Sequence, residues 1–350
     1  MAHLSIPNVR IAGISTCVPK QREYTNDYDH ISESERDLFI KTTGIEERRV
    51  ASSSTTCSDL CYAAAADLLK KFNVQDEIDA LIFVSQSPDY FLPATSIILQ
   101  HKLQLKKTCM AFDVNLGCSG YVYGLSIAGN LLQSGQLKKV LLLVGDKSTI
   151  STSKTDKSAY PLFGDAGTAT LVEYSKDAKP WIFHLQSDGA GERSIIIEHG
   201  HSRHPYNRTS DELETIEPGI VRSKKHLALN GMEIFNFALK EVSPNIQSLL
   251  EQSGTQIETI DYFVFHQANK LINESVRKKL KVDSSKTPYS IQKFGNTSSA
   301  SIPLTICDQL KNEIQSKSLT LLLSGFGVGY SWGSVILNTD NVYTSFIEHD

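Results

Sequence analysis

This sequence predicts an α/β fold assembled from two copies of one unit, on three observations. Strand-like apolar runs alternate with helical patterns along the chain, as expected for sheets buried between helices. Two pairs of segments resemble each other at nearly matched spacing. Ile78-Asp79-Ala80-Leu81-Ile82-Phe83-Val84 parallels Ile260-Asp261-Tyr262-Phe263-Val264-Phe265-His266, and Val140-Leu141-Leu142-Leu143-Val144-Gly145 parallels Thr320-Leu321-Leu322-Leu323-Ser324-Gly325. Asp79 to Leu141 spans 62 residues, and Asp261 to Leu321 spans 60. In both halves a glycine-bearing segment then leads into a strand, Gly164-Asp165-Ala166-Gly167 in the first and Gly327-Val328-Gly329 in the second. Strands recurring at common intervals are the simpler alternative; duplication accounts for both spacings at once.

The first half, 1–175, is expected to carry strands over 9–14, 80–85, 108–114, 140–144 and 169–173, and helices over 58–72, 94–103 and 118–133. In the last of these helices Tyr121, Leu125, Ala128, Leu131 and Leu132 return at three- and four-residue steps, the period of a buried helix. A bridging segment follows over 176–225. It has a strand over 181–186 and a polar stretch punctuated by Gly189, Gly191, Gly200, Pro205 and Pro218, which are turn residues. The second half, 226–350, is expected to carry helices over 231–252, 270–280 and 300–313, and strands over 262–266, 320–324 and 334–338.

Composition fits an ordinary soluble protein: 350 residues, 40% hydrophobic and 21% charged. A net charge of −4 gives no global signal for nucleic acid. Six cysteines scattered through so long a chain do not resemble a secreted disulfide framework. No signal-peptide pattern opens the chain, and no apolar run approaches a membrane span. The expected setting is reducing and cytoplasmic.

Cys118 ends the run Asp113-Val114-Asn115-Leu116-Gly117-Cys118 and opens the helix over 118–133. A cysteine there faces unpaired backbone N–H groups and the positive end of the helix dipole, both of which favour thiolate. The alternative is a small buried thiol. Three further segments fit plain packing poorly. His266-Gln267-Ala268-Asn269 ends a buried strand in polar residues; a buried imidazole is costly unless hydrogen-bonded, though a satisfied core histidine would meet that demand. Gly295-Asn296-Thr297-Ser298 opens a helix, where Asn296 is either a cap or a functional amide. Gly325-Phe326-Gly327-Val328-Gly329 follows an apolar strand, either as a tight turn or as backbone that approaches a ligand closely. At the strand ends of two related units, Cys118, His266 and Asn296 could meet in one pocket. There a thiolate attacks a thioester carbonyl. The oxyanion is met by the backbone N–H of Cys118 and by one from the glycine turn near Phe326, each such donor being worth roughly 10²–10³ in rate. His266 and Asn296 would act as hydrogen-bond donors to a second oxyanion. The order Cys, His, Asn also describes papain-like proteases, but the duplication and the glycine turn disfavour that reading.

The chain resembles the β-ketoacyl-acyl-carrier-protein synthase III enzymes of the thiolase superfamily almost end to end. The resemblance is carried by Thr43-Gly44-Ile45-Glu46-Glu47-Arg48-Arg49, Asp113-Val114-Asn115-Leu116-Gly117-Cys118-Ser119-Gly120, Phe163-Gly164-Asp165-Ala166-Gly167, His266-Gln267-Ala268-Asn269, Gly295-Asn296-Thr297-Ser298 and Gly325-Phe326-Gly327-Val328-Gly329. It implies a five-layered α-β-α-β-α fold and a homodimer, with no permanently bound cofactor. It implies acyl transfer from acyl-CoA or an acyl-carrier protein to Cys118. Malonyl-acyl-carrier protein would then be decarboxylated with help from His266 and Asn296, and the product is a 3-oxoacyl-acyl-carrier protein. It also implies substrate contacts from Lys157 and Gly231, and from Leu92 reaching into the partner's acyl pocket. The family's adenine-sandwiching tryptophan and arginine are replaced by Leu38 and Thr42, with Lys41 adjacent, and its carrier-binding arginine by Leu271. Lys270, Arg277, Lys278 and Lys279, with Lys281 beyond them, keep a basic face suited to an acidic carrier protein. A relative that passes the acyl group to a hydroxyl or amine is the alternative activity, and a non-catalytic scaffold is the third.

Other clusters carry less. Cys57 and Cys61 lie one helical turn apart without further soft ligands in view. His199, His201 and His204 sit in a polar loop. Gly164-Asp165-Ala166-Gly167 lacks the Lys-Ser/Thr ending of a phosphate loop and reads as support behind the active site. No metal is expected.

Overall fold

A computed structural model describes residues 2–350. Eleven strands make two main sheets: β1 (Ala2–Ile6), β2 (Val9–Pro19), β3 (Ala80–Val84), β4 (Met110–Val114), β5 (Lys139–Asp146), β6 (Ala166–Tyr174), β7 (Trp181–Ser187), β8 (Tyr262–Phe265), β9 (Ser318–Gly327), β10 (Ser331–Asp340) and β11 (Tyr343–His349). The first sheet has the order β11, β2, β6, β5, β3, β4, and the second the order β1, β7, β10, β9, β8.

The duplication is visible in the pairing. β3 runs parallel to β5, which runs antiparallel to β6; β8 runs parallel to β9, which runs antiparallel to β10. An aspartate clasps each parallel pair at its start. Asp79 Oδ2 accepts the N–H of Lys139 at 3.1 Å while its own N–H donates to the Lys139 carbonyl at 3.0 Å. Asp261 does the same with Thr320, at 2.7 and 2.9 Å. The equivalent of Thr320 is therefore Lys139, one residue from the Val140 read off the sequence.

Among the described residues ten α-helices fill the spaces: α1 (Glu33–Thr43), α2 (Cys57–Phe72), α3 (Thr95–Lys102), α4 (Gly120–Leu132), α5 (Gly231–Phe237), α6 (Ser243–Ser253), α7 (Lys270–Lys279), α8 (Ile291–Phe294), α9 (Ser301–Gln309) and α10 (Lys311–Ser316). The central layer is α4 and α9. Both pack between the sheets, where Leu125, Ala128, Ile302 and Ile306 share one core with Ile82, Leu142, Leu321 and Val335. A helix apolar on most faces must be buried in this way, and each fully buried aliphatic side chain contributes about 1.5–3 kcal/mol. α2 and α3 cover the outer face of the first sheet, and α6 and α7 that of the second. The layers run α-β-α-β-α, as the family resemblance implies. Among the described residues no helix is long and apolar enough to cross a membrane.

The sheets do not follow the segment limits 1–175, 176–225 and 226–350. β1 belongs to the second sheet and β11 to the first, so each chain end closes the edge of the other half's sheet. β7, expected in the bridge, lies inside the second sheet between β1 and β10, with Trp181 and Phe183 fully buried. The helix expected over 231–252 is interrupted by a π turn at Ala238–Val242. Pro244 explains the break: it has no N–H to bond the carbonyl four residues back.

Candidate active site

Cys118 follows β4 in a tight turn, closed by a hydrogen bond from the Gly120 N–H to the Gly117 carbonyl at 2.7 Å, and α4 begins two residues later. The nucleophile candidate therefore sits just ahead of the buried central helix. It is 6% exposed. The end of β9 presses against it: a Cβ at Gly325 would lie 2.9 Å from the Cys118 carbonyl oxygen, and one at Gly327 would lie 2.7 Å from Cys118 Cβ and 2.8 Å from Sγ. Close backbone approach, rather than a turn requirement, is what these two glycines serve.

The sulfur is more deeply desolvated than its place ahead of a helix suggested. Burial pushes the Cys118 thiol up to about 11, and the charge of Asp146 adds to this; the Ser298 hydroxyl and the backbone N–H groups of Val328 and of Cys118 itself pull it back. Sγ lies 4.0 Å from Ser298 Oγ. The expectation of a ready thiolate at neutral pH is thus corrected: desolvation and the charge of Asp146 outweigh the three hydrogen bonds, and the resting group is a thiol. The expected donor near Phe326 is also corrected. Phe326 is still a ladder residue opposite Trp332, whereas Val328 has left the ladder that ends at Gly327 and turns its N–H to the sulfur.

His266 follows β8 directly. Its N–H donates to the Ser324 carbonyl at 2.8 Å, and its own carbonyl accepts from Asn273 Nδ2 at 3.0 Å, so the backbone is fixed on both sides. Its Nδ1 lies 2.7 Å from Ser301 Oγ, an oxygen that already accepts the Gln267 N–H at 3.3 Å. The ring stands edge-on to Phe326 with centroids 5.6 Å apart. Burial lowers the imidazole to about 3, opposed by a hydrogen bond to backbone at Ser298. The ring is neutral across the physiological range.

Asn296 is clamped by its backbone to one segment of the first half, on either side of Phe163: its N–H donates to the Leu162 carbonyl at 2.8 Å, and its carbonyl accepts from Gly164 at 3.1 Å. Its Oδ1 accepts the Ser298 N–H at 2.9 Å. With the amide oxygen held this way, the amide NH₂ is free to donate. Gly164 permits the clamp, since a Cβ there would fall 2.1 Å from the Phe294 carbonyl oxygen. Ser298 adopts a left-handed conformation, φ +51°, which costs energy for a residue other than glycine and concentrates at functional sites.

Cys118, His266, Asn296, Phe326, Lys157 and Gly231 line one cavity of about 580 Å³. The structure places the other candidates elsewhere. Leu92 is 78% exposed, beside exposed Tyr90 and Phe91. Lys157 is paired with Glu35 at 2.8 Å; this ion pair and the Ser32 hydrogen bonds hold the Glu35 carboxyl down at about 2. On α7, Arg277 is bound to Glu274 and to the Val282 carbonyl, and Lys279 donates to the Leu239 carbonyl. Lys270 and Lys278 have no intramolecular ion pair among the described residues. Leu38 and Leu271 are both exposed.

Asp146, at the end of β5, was not anticipated. Its buried carboxylate accepts from Gln86 N–H at 2.7 Å, Ser85 Oγ at 3.2 Å, Ser299 Oγ at 2.7 Å and Ser299 N–H at 3.3 Å, tying the first half to the start of the central helix of the second. Burial raises its pKa despite these donors. Cys57 and Cys61 are both buried in α2, and a Cβ at Gly145 would lie 2.9 Å from Cys57 Sγ. His199 bonds Ser210 and stacks on His204. No cluster of three or more metal-ligating side chains occurs among the described residues.

Residues 112–189 match the family described as 3-oxoacyl-[acyl-carrier-protein (ACP)] synthase III, and residues 250–339 match its C-terminal domain. A β-ketoacyl-[acyl-carrier-protein] synthase III of Streptococcus mutans is 34% identical over 335 residues, covering 94% of this chain and 98% of that protein. A β-ketoacyl-[acyl-carrier-protein] synthase III of Halalkalibacterium halodurans is 32% identical, covering 93% and 97%. The crystal structure of a 3-oxoacyl-(acyl-carrier protein) synthase from Burkholderia xenovorans LB400 superposes with a TM-score of 0.93 at 39% identity, over 99% of both chains. On its sequence, its fold and the setting of its cavity residues, this chain belongs to the 3-oxoacyl-[acyl-carrier-protein] synthase III family.

Proposed function

We propose that this chain is an acyltransferase of the condensing type. It joins an acyl primer held on Cys118 to the two-carbon unit of malonyl-acyl-carrier protein, releasing carbon dioxide and a 3-oxoacyl-acyl-carrier protein. The reading rests on one observation above others: a buried thiol, a neutral imidazole and a free amide NH₂ from two halves of the molecule line a single cavity. In the first half-reaction Cys118 Sγ bonds to the primer's thioester carbonyl carbon. The original carbon–sulfur bond breaks, and the departing thiolate takes up the proton that Cys118 gives up. The tetrahedral oxyanion is received by the N–H groups of Cys118 and Val328.

In the second half-reaction the bond from the malonyl carboxylate to C2 breaks, carbon dioxide leaves, and the electron pair forms an enolate on the thioester. A donor role for His266 needs its proton on Nε2. The Ser301 hydroxyl, which already accepts the Gln267 N–H, is free to donate to Nδ1 and would fix that tautomer. The enolate oxygen then lies between Nε2–H and Asn296 Nδ2, and C2 attacks the acyl carbonyl. The Cys118 thiolate is expelled and takes up a proton from solvent, which balances the charge brought in by the malonyl carboxylate. Delivery of the acyl group to a hydroxyl or amine is less well supported: that route needs a base, and an imidazole with a pKa of about 3 is a weak one.

A homodimer is part of the proposal. β4 is an unpaired edge of the first sheet that begins at the exposed Met110, and Tyr90, Phe91 and Leu92 form a run of exposed apolar side chains. A cytoplasmic setting and docking of an acidic carrier on Lys270 and Lys278 complete it. The test separates the halves: His266→Ala and Asn296→Ala should still take an acyl group on Cys118 by intact mass while losing carbon dioxide release from malonyl-carrier protein. Unimpaired decarboxylation in both variants would remove the assigned roles.

A further inference from the structure

The walls of the cavity differ in chemistry. The segments after β3, β4 and β5 bring Gln86, Asn115 and Ser148 to it, whereas Ile195, Leu229 and Ile234 give it aliphatic surface. Polar groups facing the nucleophile are not required by the condensation, whose oxyanions are met elsewhere.

Gln86 is the most informative of them. Its backbone is fixed, because its N–H donates to Asp146 Oδ1 at 2.7 Å. Its side-chain amide has no hydrogen-bond partner among the described residues, and neither does the amide of Asn115 or the hydroxyl of Ser148; Gln86 and Asn115 are exposed and Ser148 is half-buried, so water solvates them until an acyl group covers them. The Gln86 amide also lies against the nucleophile's own turn: a Cβ at Gly117 would be 2.3 Å from Gln86 Oε1. Gly117 precedes Cys118, so this amide lies beside the start of an acyl group bound to the sulfur.

A plain alkyl chain packed there would strip water from the amide and return no hydrogen bond, and sites built to bond a substrate hydroxyl discriminate strongly against its absence. We infer that the acyl group taken up by Cys118 is a short hydroxyacyl group, with its hydroxyl on one of the first carbons, and that Gln86 selects it. The inference rests on Cys118 being the acyl acceptor.

The test offers butyryl, 2-hydroxybutyryl and 3-hydroxybutyryl groups in competition, each on coenzyme A and on a carrier protein, and counts Cys118 adducts by intact mass at early times. One of the hydroxylated groups should exceed butyryl by about tenfold, and Gln86→Leu should shift that ratio toward butyryl by a similar factor. Gln86→Met, which removes the amide at similar length, should shift the ratio in the same direction and serves if the leucine variant does not fold. Butyryl labelling equal to or above both hydroxybutyryl groups in the wild type, or a ratio unchanged in the variants, overturns the inference and leaves the acyl-Cys118 reading standing. An absence of adduct from all of the thioesters overturns that reading itself.

Discussion

Gly327 lies against Cys118 so closely that a methyl group at 327 would fall 2.7 Å from Cys118 Cβ and 2.8 Å from Sγ. The sulfur's position is therefore set by the end of a strand from the other half of the molecule. Replacing Gly327 with alanine should displace the sulfur from the Val328 N–H. Overpacking of this kind typically costs about 1–3 kcal/mol, within the stability of a domain this large. Gly327→Ala should stay folded by circular dichroism and lose acylation by about 100-fold or more. Near wild-type acylation would mean that this contact does not govern the nucleophile.

The resting state of Cys118 has a pH signature. With the thiol pushed up to about 11 by burial, only a small thiolate fraction exists at neutral pH, and it grows about tenfold per pH unit below that value. Iodoacetamide alkylation of Cys118 should therefore climb steadily from pH 7 to 10. A plateau by pH 8 would show a stabilised thiolate instead.

His266 predicts the opposite behaviour. Its imidazole, lowered to about 3 by burial, does not change charge between pH 5.5 and 8. Malonyl decarboxylation should be flat across that window and fall by about 10²–10³ in His266→Ala. An inflection near pH 6.5 that disappears in His266→Gln would show a titrating base.

Asp146 joins the halves through four donors, and Asp146→Ala would strand them. Each buried donor left unsatisfied costs about 1–3 kcal/mol, so urea unfolding should show a loss of at least about 3 kcal/mol. The sign with pH follows from the raised pKa: the folded state binds this proton more tightly than the unfolded one, so the carboxylate lowers stability as pH rises above the ordinary carboxylate value. The wild type should therefore gain on Asp146→Asn as pH falls from 7 toward 4. A constant difference would show that the carboxylate's ionisation does not differ between the two states.

Much of this was legible because apolar period and glycine placement are local signals. β3, β5, β8 and β9 read as continuous apolar runs since both faces of each sheet are covered. α1 escaped notice because its composition is polar; its one clear signal is the Ser32–Glu35 capping box. Val328 and Asp146 were beyond reach for another reason. The first depends on where the β9–β10 ladder stops. The second depends on a partner, Ser299, 153 residues away. The pairing of Lys157 with Glu35 spans 122 residues and is likewise invisible to spacing.

The most direct measurement is the intact mass of the wild-type protein after an acyl thioester, and again after malonyl-carrier protein is added. The account predicts one acyl group on Cys118, absent in Cys118→Ala, which then leaves with one equivalent each of carbon dioxide and 3-oxoacyl product. An adduct on another residue, or one on Cys118 that persists while carbon dioxide is released, would contradict it.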